Sequence, residues 1–237
     1  MARSQLCYWI TDLGLFRIRN VSVSGLHASQ EAEFRALLQG LQGQGLLLLN
    51  LDDLEARLSH FPWAEEVVIT RKLPSSLQVN VVERRPVTIL KADCRWAVDA
   101  NGVLLPLERW QGSVDFPLLD CGLNTEPKTG AVLSNFRALK VLPILAALQI
   151  RLPDLWYSIS EVTWDQNEQL ILYMNYRPMK VLFGRHPDWR KMLNLYSFLA
   201  YAEYHSILDD ITAIDLRFDD NVVVLYDSTK TEQEVDS

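Results

Sequence analysis

The chain has 237 residues, of which 49% are apolar and 22% are charged, which suits one large or two small packed domains. Its net charge of −7 argues against nucleic acid as the main partner, because phosphate binding requires clustered cations. The sequence shows neither the apolar run of about 20 residues that a membrane helix needs nor a charged-then-apolar secretion signal after Met1.

The spacing of Cys7, Cys94 and Cys121 fits no zinc or redox motif. A disulfide between Cys94 and Cys121 stays open as an alternative in an oxidising compartment, and buried free thiols are the preferred interpretation.

The first predicted elements are a strand and two helices. Phe16 to Ser24 indicates a strand that ends at Gly25, and Ser29 is a candidate N-cap for a helix. Asn50 is a candidate N-cap for a second helix. The glycine-rich segment 40–45 lacks the lysine and hydroxyl of a phosphate-binding loop, so it indicates a helix end and a link. The leucine and phenylalanine positions predicted to face the core are Phe34, Leu37, Leu38 and Leu41 in the first helix, and Leu51, Leu54 and Leu58 in the second.

A hairpin follows the two helices. Ala64 to Arg71 carries the apolar centre of one strand, and Leu73 to Ser76 breaks it. Leu77, Val79 and Val81 alternate with polar residues in the return strand, and Pro86 marks the end of pairing. The order β-α-α-β-β is then complete at Glu83.

The second half indicates a mixed sheet with packed helices, so the fold class is α+β. Asn101-Gly102 predicts a hairpin turn between strands around Trp96–Val98 and Val103–Leu105. A helix is predicted from Asp188, with Trp189, Met192, Leu193, Tyr196 and Leu199 on its buried face. The remaining predicted elements are strands at Phe116–Cys121, Ile159–Trp164, Leu170–Tyr173, Lys180–Phe183, Ile214–Phe218 and Val222–Tyr226, and a helix at Ala131–Leu148 that Pro143 kinks or breaks.

The residue types needed for catalysis do not form a recognisable pattern. No GxSxG or HExxH motif occurs, and neighbouring carboxylates such as Asp52-Asp53 and Glu65-Glu66 point apart on a helix or strand. We therefore expect no enzyme, no catalytic, cofactor-binding or metal-binding residues, no cofactor and no small-molecule substrate.

The apolar run Val222 to Tyr226 allows two interpretations. An interior strand would be covered on both faces by earlier segments, whereas an edge strand would have to be covered by a strand from another protein. The sequence alone leaves both open.

The hairpin motifs resemble those of the FtsQ/DivIB family of bacterial division proteins and its POTRA module. The matching residues are Pro62-Trp63, Val68 and Arg71, Leu73-Pro74, Leu77 and Val79, and Val82-Glu83-Arg84 with Pro86. Further matches follow at Val98-Asp99 with Gly102, at Gly184-Arg185, and in the phrase Asp215 to Asp219.

The resemblance implies a domain plan and a location. Residues 1–15 would be the remains of a juxtamembrane segment, 16–85 the POTRA domain, 86–228 the β-domain and 229–237 a disordered tail. A single membrane helix, expected to be truncated from this sequence, would anchor the protein in the inner membrane with this region in the periplasm.

The resemblance also implies a function. Members act as non-enzymatic scaffolds that link early and late division proteins and help to control septal peptidoglycan synthesis. They contact other divisome membrane proteins through the POTRA domain and bind the FtsB–FtsL complex by strand addition. The family often has serine-glycine at Asp220-Asn221 and tryptophan at Tyr226, so this chain departs from its pattern there. The partner-binding residues implied here are Arg185, Arg217, Phe218, Asp220, Asn221, Val222, Val223, Val224 and Tyr226.

An alternative interpretation is a POTRA-containing component of protein secretion or outer-membrane assembly that binds client polypeptides. Such proteins repeat the POTRA unit or continue into a long series of alternating strands of about ten residues. Neither pattern occurs in this sequence.

Overall fold

The computed structural model describes residues 15–26, 28–91, 96–110, 115–122, 128–175, 178–218 and 221–226. The chain divides into two compact units, one up to Arg84 and one from Arg85. The predictions for residues 1–14, for Cys94 and for the tail after Tyr226 lie outside the described residues. In the described part of the chain, no helix has the length and apolar character needed to cross a membrane.

The first unit has the predicted order β-α-α-β-β, which confirms the α+β class. Its sheet has the strand order β1-β3-β2, in which β1 pairs with β3 in parallel and β2 pairs with β3 antiparallel. The first strand is shorter than predicted, because the residues before Asn20 bond to a loop instead: Ile18 N–H donates to the Gln44 carbonyl at 2.9 Å. The elements are β1 (Asn20–Ser24), α1 (Ala28–Gln39), α2 (Leu51–Leu58), β2 (Ala64–Lys72) and β3 (Ser76–Glu83).

The two helices bury narrower stripes than the sequence predicts. Phe34, Leu38 and Leu41 are buried, but Leu37 is 48% exposed, so its assignment to the buried face was wrong. By helical geometry Leu37 lies at the flank of the stripe formed by Phe34, Leu38 and Leu41. The Asn50 cap is confirmed, since its side chain accepts a hydrogen bond from Asp53 N–H.

The second unit is built on a sheet of nine strands among the described residues. Its strand order is β12-β11-β10-β9-β8-β7-β4-β5-β6, so β12 and β6 are the terminal strands. The predicted strand Phe116–Cys121 forms pairs only at two residues. The strands are β4 (Pro86–Leu90), β5 (Trp96–Asp99), β6 (Leu104–Pro106), β7 (Leu118–Leu119), β8 (Ile159–Trp164), β9 (Leu170–Met174), β10 (Lys180–Gly184), β11 (Ile211–Asp215) and β12 (Val223–Tyr226).

Three helices, α3 (Phe136–Arg151), α4 (Pro153–Tyr157) and α5 (Trp189–Tyr204), contribute to the core of this unit. Helix α3 starts five residues later than predicted because the Asn135 side chain accepts from two amides of the first turn. It also continues through Pro143, so the predicted break does not occur.

The turn between β5 and β6 forms where the sequence predicts it. The Asp99 carboxylate accepts hydrogen bonds from the backbone N–H of Asn101 at 2.9 Å and of Val103 at 2.7 Å. Gly102 has φ of +80°, a conformation that side chains rarely adopt. A Cβ at this position would also lie 2.5 Å from a Leu139 methyl carbon, so glycine is required for two reasons.

Candidate partner-binding site

Strand β12 lies at one edge of the nine-stranded sheet. It pairs antiparallel with β11, with Asp215 opposite Val223 and Ile211 opposite Tyr226. Its other side has no neighbouring strand among the described residues. Of the two interpretations of the run Val222 to Tyr226, the structure therefore has the edge strand.

The side chains of β12 divide between two faces. Val224, and Val222 just before the strand, pack against the core of the second unit. Val223 is 39% exposed and Leu225 46% exposed, and Tyr226 at the end of the strand is also exposed. Successive residues of a strand point to opposite faces, so one face of β12 anchors it and the other presents apolar groups to solvent.

The backbone groups of β12 also divide. The Leu225 carbonyl accepts a hydrogen bond from the Thr212 hydroxyl of β11 at 3.0 Å, so this carbonyl faces the sheet. In an antiparallel ladder the N–H and C=O of one residue point to the same side, and the side alternates along the strand. The N–H and C=O of Val224 therefore face the open edge.

The charged residues predicted from sequence lie at one end of this sheet. Strands β10 and β11 are parallel, so their carboxyl ends, which lead to Arg185 and Arg217, lie together. The first residue of β12 lies at the same end, because Val223 is opposite Asp215. Gly184 and Arg217 are direct neighbours: a Cβ on Gly184 would lie 3.7 Å from Arg217 Cγ.

Arg217 forms a salt bridge with Asp215, the last residue of β11. Its guanidinium donates to Asp215 at 2.9, 3.0 and 2.5 Å, and its backbone N–H donates to Asp215 Oδ1 at 3.0 Å. These hydrogen bonds lower the pKa of Asp215 and raise the pKa of Arg217, and burial of the Asp215 carboxyl opposes the first shift. Arg217 therefore holds the loop that leads from β11 towards β12.

The Asp215–Arg217 pair predicts a pH dependence. Because the folded-state pKa of Asp215 is depressed, its contribution to stability is fully present above the ordinary value of 3.8 and is lost as pH falls through the folded-state pKa. Asp215→Asn should therefore lower the free energy of unfolding at pH 7, and the difference from wild type should shrink in acid below that ordinary value. Urea unfolding at both pH values measures this. An equal difference at both would show that the carboxylate charge contributes nothing.

The other sequence-predicted residues lie along the strand rather than in one cluster. Phe218 is 55% exposed and Asn221 is exposed, between the end of β11 and the start of β12. Tyr226 lies at the opposite end of β12, about 10 Å from Val223 at the usual rise per residue. Asp220 lies outside the described residues.

Leu225 is a candidate residue that the sequence reasoning missed. It shares the exposed face of β12 with Val223, and the period-two alternation of the strand was the available signal.

Arg185 is exposed and lies between Gly184, which ends β10, and Asp188, the N-cap of α5. Its Nε donates to the Asn167 carbonyl at 3.1 Å, which leaves the rest of the guanidinium facing solvent. The described residues contain no group of three or more side chains that would hold a metal ion.

Two family models match the chain, and they match its two units in turn. Residues 16–84 match the POTRA domain, FtsQ-type, and residues 90–217 match the C-terminal region of cell division protein FtsQ/DivIB. Strand β12 follows the end of the second match.

Curated relatives carry the name cell division protein FtsQ. One from Geotalea daltonii is 26% identical over 217 residues, covering 91% of this chain and 78% of the relative. One from Geobacter sp. strain M21 is 26% identical over 221 residues, covering 93% and 80%. One from Myxococcus fulvus is 28% identical over 155 residues, covering 65% and 54%.

These matches confirm the resemblance and do not favour the alternative of a secretion or outer-membrane assembly component. The C-terminal match alone spans more than half of the 237 residues. The chain belongs to the FtsQ/DivIB family and has a role in cell division.

Proposed function

We propose that this protein is a non-enzymatic scaffold of the divisome that holds the FtsB–FtsL complex by accepting a strand of FtsB on β12. The observation that carries the proposal is the position of β12 at the sheet edge, with Val223, Leu225 and Tyr226 exposed beside it. An exposed apolar edge strand promotes aggregation unless another strand covers it, and strand addition supplies that cover.

Strand addition on this edge divides the work between backbone and side chains. The Val224 N–H and C=O would pair with the incoming strand and supply affinity, whereas Val223 and Leu225 would contact its alternate side chains and supply specificity. Phe218, in the loop before β12, and Tyr226, at the end of β12, would limit the register of the added strand.

Arg185 supplies the charged contact of the proposed site. It lies at the end of the sheet where β12 begins, and a cation just before a helix N-terminus is not stabilised by the helix dipole. We infer that its guanidinium pairs with an acidic side chain of FtsB. Arg217, held by Asp215, would keep its neighbour Gly184 and the loop before β12 in place.

Arg185→Glu should weaken FtsB binding by up to about thirtyfold, because an exposed ion pair contributes up to ~1 kcal/mol and charge reversal adds repulsion of similar size. The free energy of unfolding should change by less than about 0.5 kcal/mol, since the side chain is exposed. Fluorescence anisotropy with a labelled FtsB periplasmic segment measures the affinity.

Arg190→Glu is the matched control, since it reverses an exposed cation five positions further along the chain. The control should bind FtsB with nearly unchanged affinity. If both variants lose the same affinity for FtsB, the Arg185 effect comes from net charge and not from a specific ion pair. If neither variant loses affinity, Arg185 makes no ion pair with FtsB.

The proposal also gives the first unit a role and the protein a location. The POTRA domain, residues 16–85, would contact other divisome membrane proteins, and the β-domain, residues 86–228, would hold FtsB–FtsL in the periplasm beside the inner membrane. Co-purification of the full-length protein with FtsB and FtsL from envelope extract tests the assembly. Recovery of nascent outer-membrane barrel proteins instead would contradict it.

A further inference from the structure

One end of the first unit combines exposed leucines with cations. Three segments, residues 15–19, 43–49 and 71–75, meet there, and we name this end the leucine tip. The Leu46 N–H donates to the Phe16 carbonyl at 2.7 Å, and the Arg19 N–H donates to the Ser75 carbonyl at 2.8 Å, so the three segments form one connected surface.

Four consecutive leucines in the middle segment are divided between the core and solvent. Leu46 is fully buried and Leu49 packs against the core of the unit, whereas Leu47 is 41% exposed and Leu48 60% exposed. Two more exposed leucines lie in the adjoining segments: Leu15 at 58% and Leu73 at 65%. The leucine tip therefore presents four large aliphatic side chains to solvent from three different loops.

The Arg71 side chain holds the loop that carries these leucines. Arg71 donates from Nε to the Leu46 carbonyl at 2.9 Å and from Nη2 to the Leu49 carbonyl at 2.5 Å. These two bonds bracket Leu47 and Leu48 and fix the loop in the conformation that turns both side chains outward. The exposure is thus built into the fold rather than being the property of a loose loop.

The charge of the leucine tip is opposite to that of the whole chain. Its three segments contain Arg17, Arg19, Arg71 and Lys72 and no aspartate or glutamate, whereas the chain has a net charge of −7. Arg17, Arg19 and Lys72 are exposed. Long aliphatic stems allow such cations to lie beside apolar groups while their charged ends reach a polar layer.

We infer that the leucine tip binds the surface of a membrane that contains anionic lipids, with the leucines inserted at the headgroup boundary and the cations on the phosphates. Exposed aliphatic side chains on segments that carry cations and no acids suit that surface. Binding hot spots of protein interfaces are rich in aromatic residues and poor in leucine, whereas the large exposed apolar side chains of the leucine tip are all leucines. The inference goes beyond the proposed FtsB site and does not depend on it.

Vesicle flotation of the full chain tests the inference. Wild type should float with vesicles of phosphatidylcholine and phosphatidylglycerol, bind much less to phosphatidylcholine alone, and lose binding as salt is added. The triple variant Arg17→Gln, Arg19→Gln, Lys72→Gln should reduce partitioning to the anionic vesicles by roughly a hundredfold, at about fivefold per cation. The triple variant Leu47→Ser, Leu48→Ser, Leu73→Ser should reduce it by at least about tenfold.

The matched control removes the same number of exposed apolar groups from elsewhere in the first unit: Leu37→Ser, Val68→Thr, Val82→Thr, at residues that are 48%, 43% and 49% exposed. This control should partition like wild type. The inference would be overturned if neither tip variant reduced partitioning to the anionic vesicles. It would also be overturned if the control reduced this partitioning as much as the tip variants do. A protein association that survives detergent and is lost in both tip variants, with vesicle binding unchanged, would overturn it in favour of a protein partner.

Discussion

Val224→Pro is expected to weaken FtsB binding severely while the second unit stays folded. The Val224 amide faces the open edge, so proline removes a donor that no described strand uses. The lost hydrogen bond and the carbonyl of the partner left unpaired together cost about 2–4 kcal/mol, which corresponds to roughly a thirtyfold to several hundredfold loss of affinity. Anisotropy with labelled FtsB measures the affinity, and circular dichroism reports the fold.

Two further variants make this result specific. Val224→Ala truncates the same side chain but keeps the amide, so its binding should fall only slightly. Leu225→Pro removes an amide that faces β11, so it should release β12 from the sheet and lower the unfolding midpoint. If Val224→Pro binds FtsB as well as Val224→Ala does, strand addition on β12 is wrong. If Val224→Pro itself unfolds the unit, the assignment of the outward amide is wrong.

Trp63→Ala should destabilise the first unit by about 3–5 kcal/mol, the usual cost of emptying a large aromatic site. Trp63 is 2% exposed, and its ring centroid lies 5.0 Å from that of Phe34 and 5.2 Å from that of Phe61. Domains have free energies of unfolding of about 5–15 kcal/mol, so this loss removes a large part of the stability of the first unit. Urea unfolding followed by circular dichroism measures it.

Tyr204→Ala is the control for aromatic truncation, since Tyr204 is 85% exposed. It should change the free energy of unfolding by less than about 0.5 kcal/mol. A Trp63→Ala variant that unfolds at the same urea concentration as wild type would contradict the packing described for the Phe34, Phe61 and Trp63 rings.

The elements that were predictable from sequence are those whose signals are local. Asn50 caps its helix through a hydrogen bond to an amide three residues away, and Leu77, Val79 and Val81 alternate within one strand. The start of α3 was also readable, since Asn135 is a good N-cap residue, but the apolar residues from Ala131 onward extended the predicted helix too far.

The errors concern choices that depend on distant residues. Helix α5 carries two overlapping apolar stripes, and only packing decides between them. The buried positions are Met192, Leu195, Leu199 and Ala202, whereas Leu193 is 41% and Tyr196 38% exposed, so the predicted burial of those two was wrong. The side chains that cover α5 come from elsewhere in the chain, and one sequence does not show which stripe they contact.

The edge position of β12 also depends on residues that are distant in sequence. The order β12-β11-β10 exists because β10 and β11 pair in parallel with helix α5 between them in sequence. The run Val222 to Tyr226 is apolar at every position, so its period cannot distinguish one covered face from two. The residues of the proposed site could therefore be predicted from the resemblance. That they lie on an open sheet edge could be known only from the strand order.

The strand order of the first unit has a consequence for how that unit is made. The central strand β3 is the last of the three to be synthesised, and β1 and β2 each pair with it rather than with each other. The local β2–β3 hairpin is therefore the earliest sheet contact that the chain can close, and β1 docks only across a long loop, which is the slow kind of contact. No nascent fragment that ends before Glu83 has a complete sheet, so we expect this unit to become resistant to proteolysis in one step, once β3 has left the ribosome.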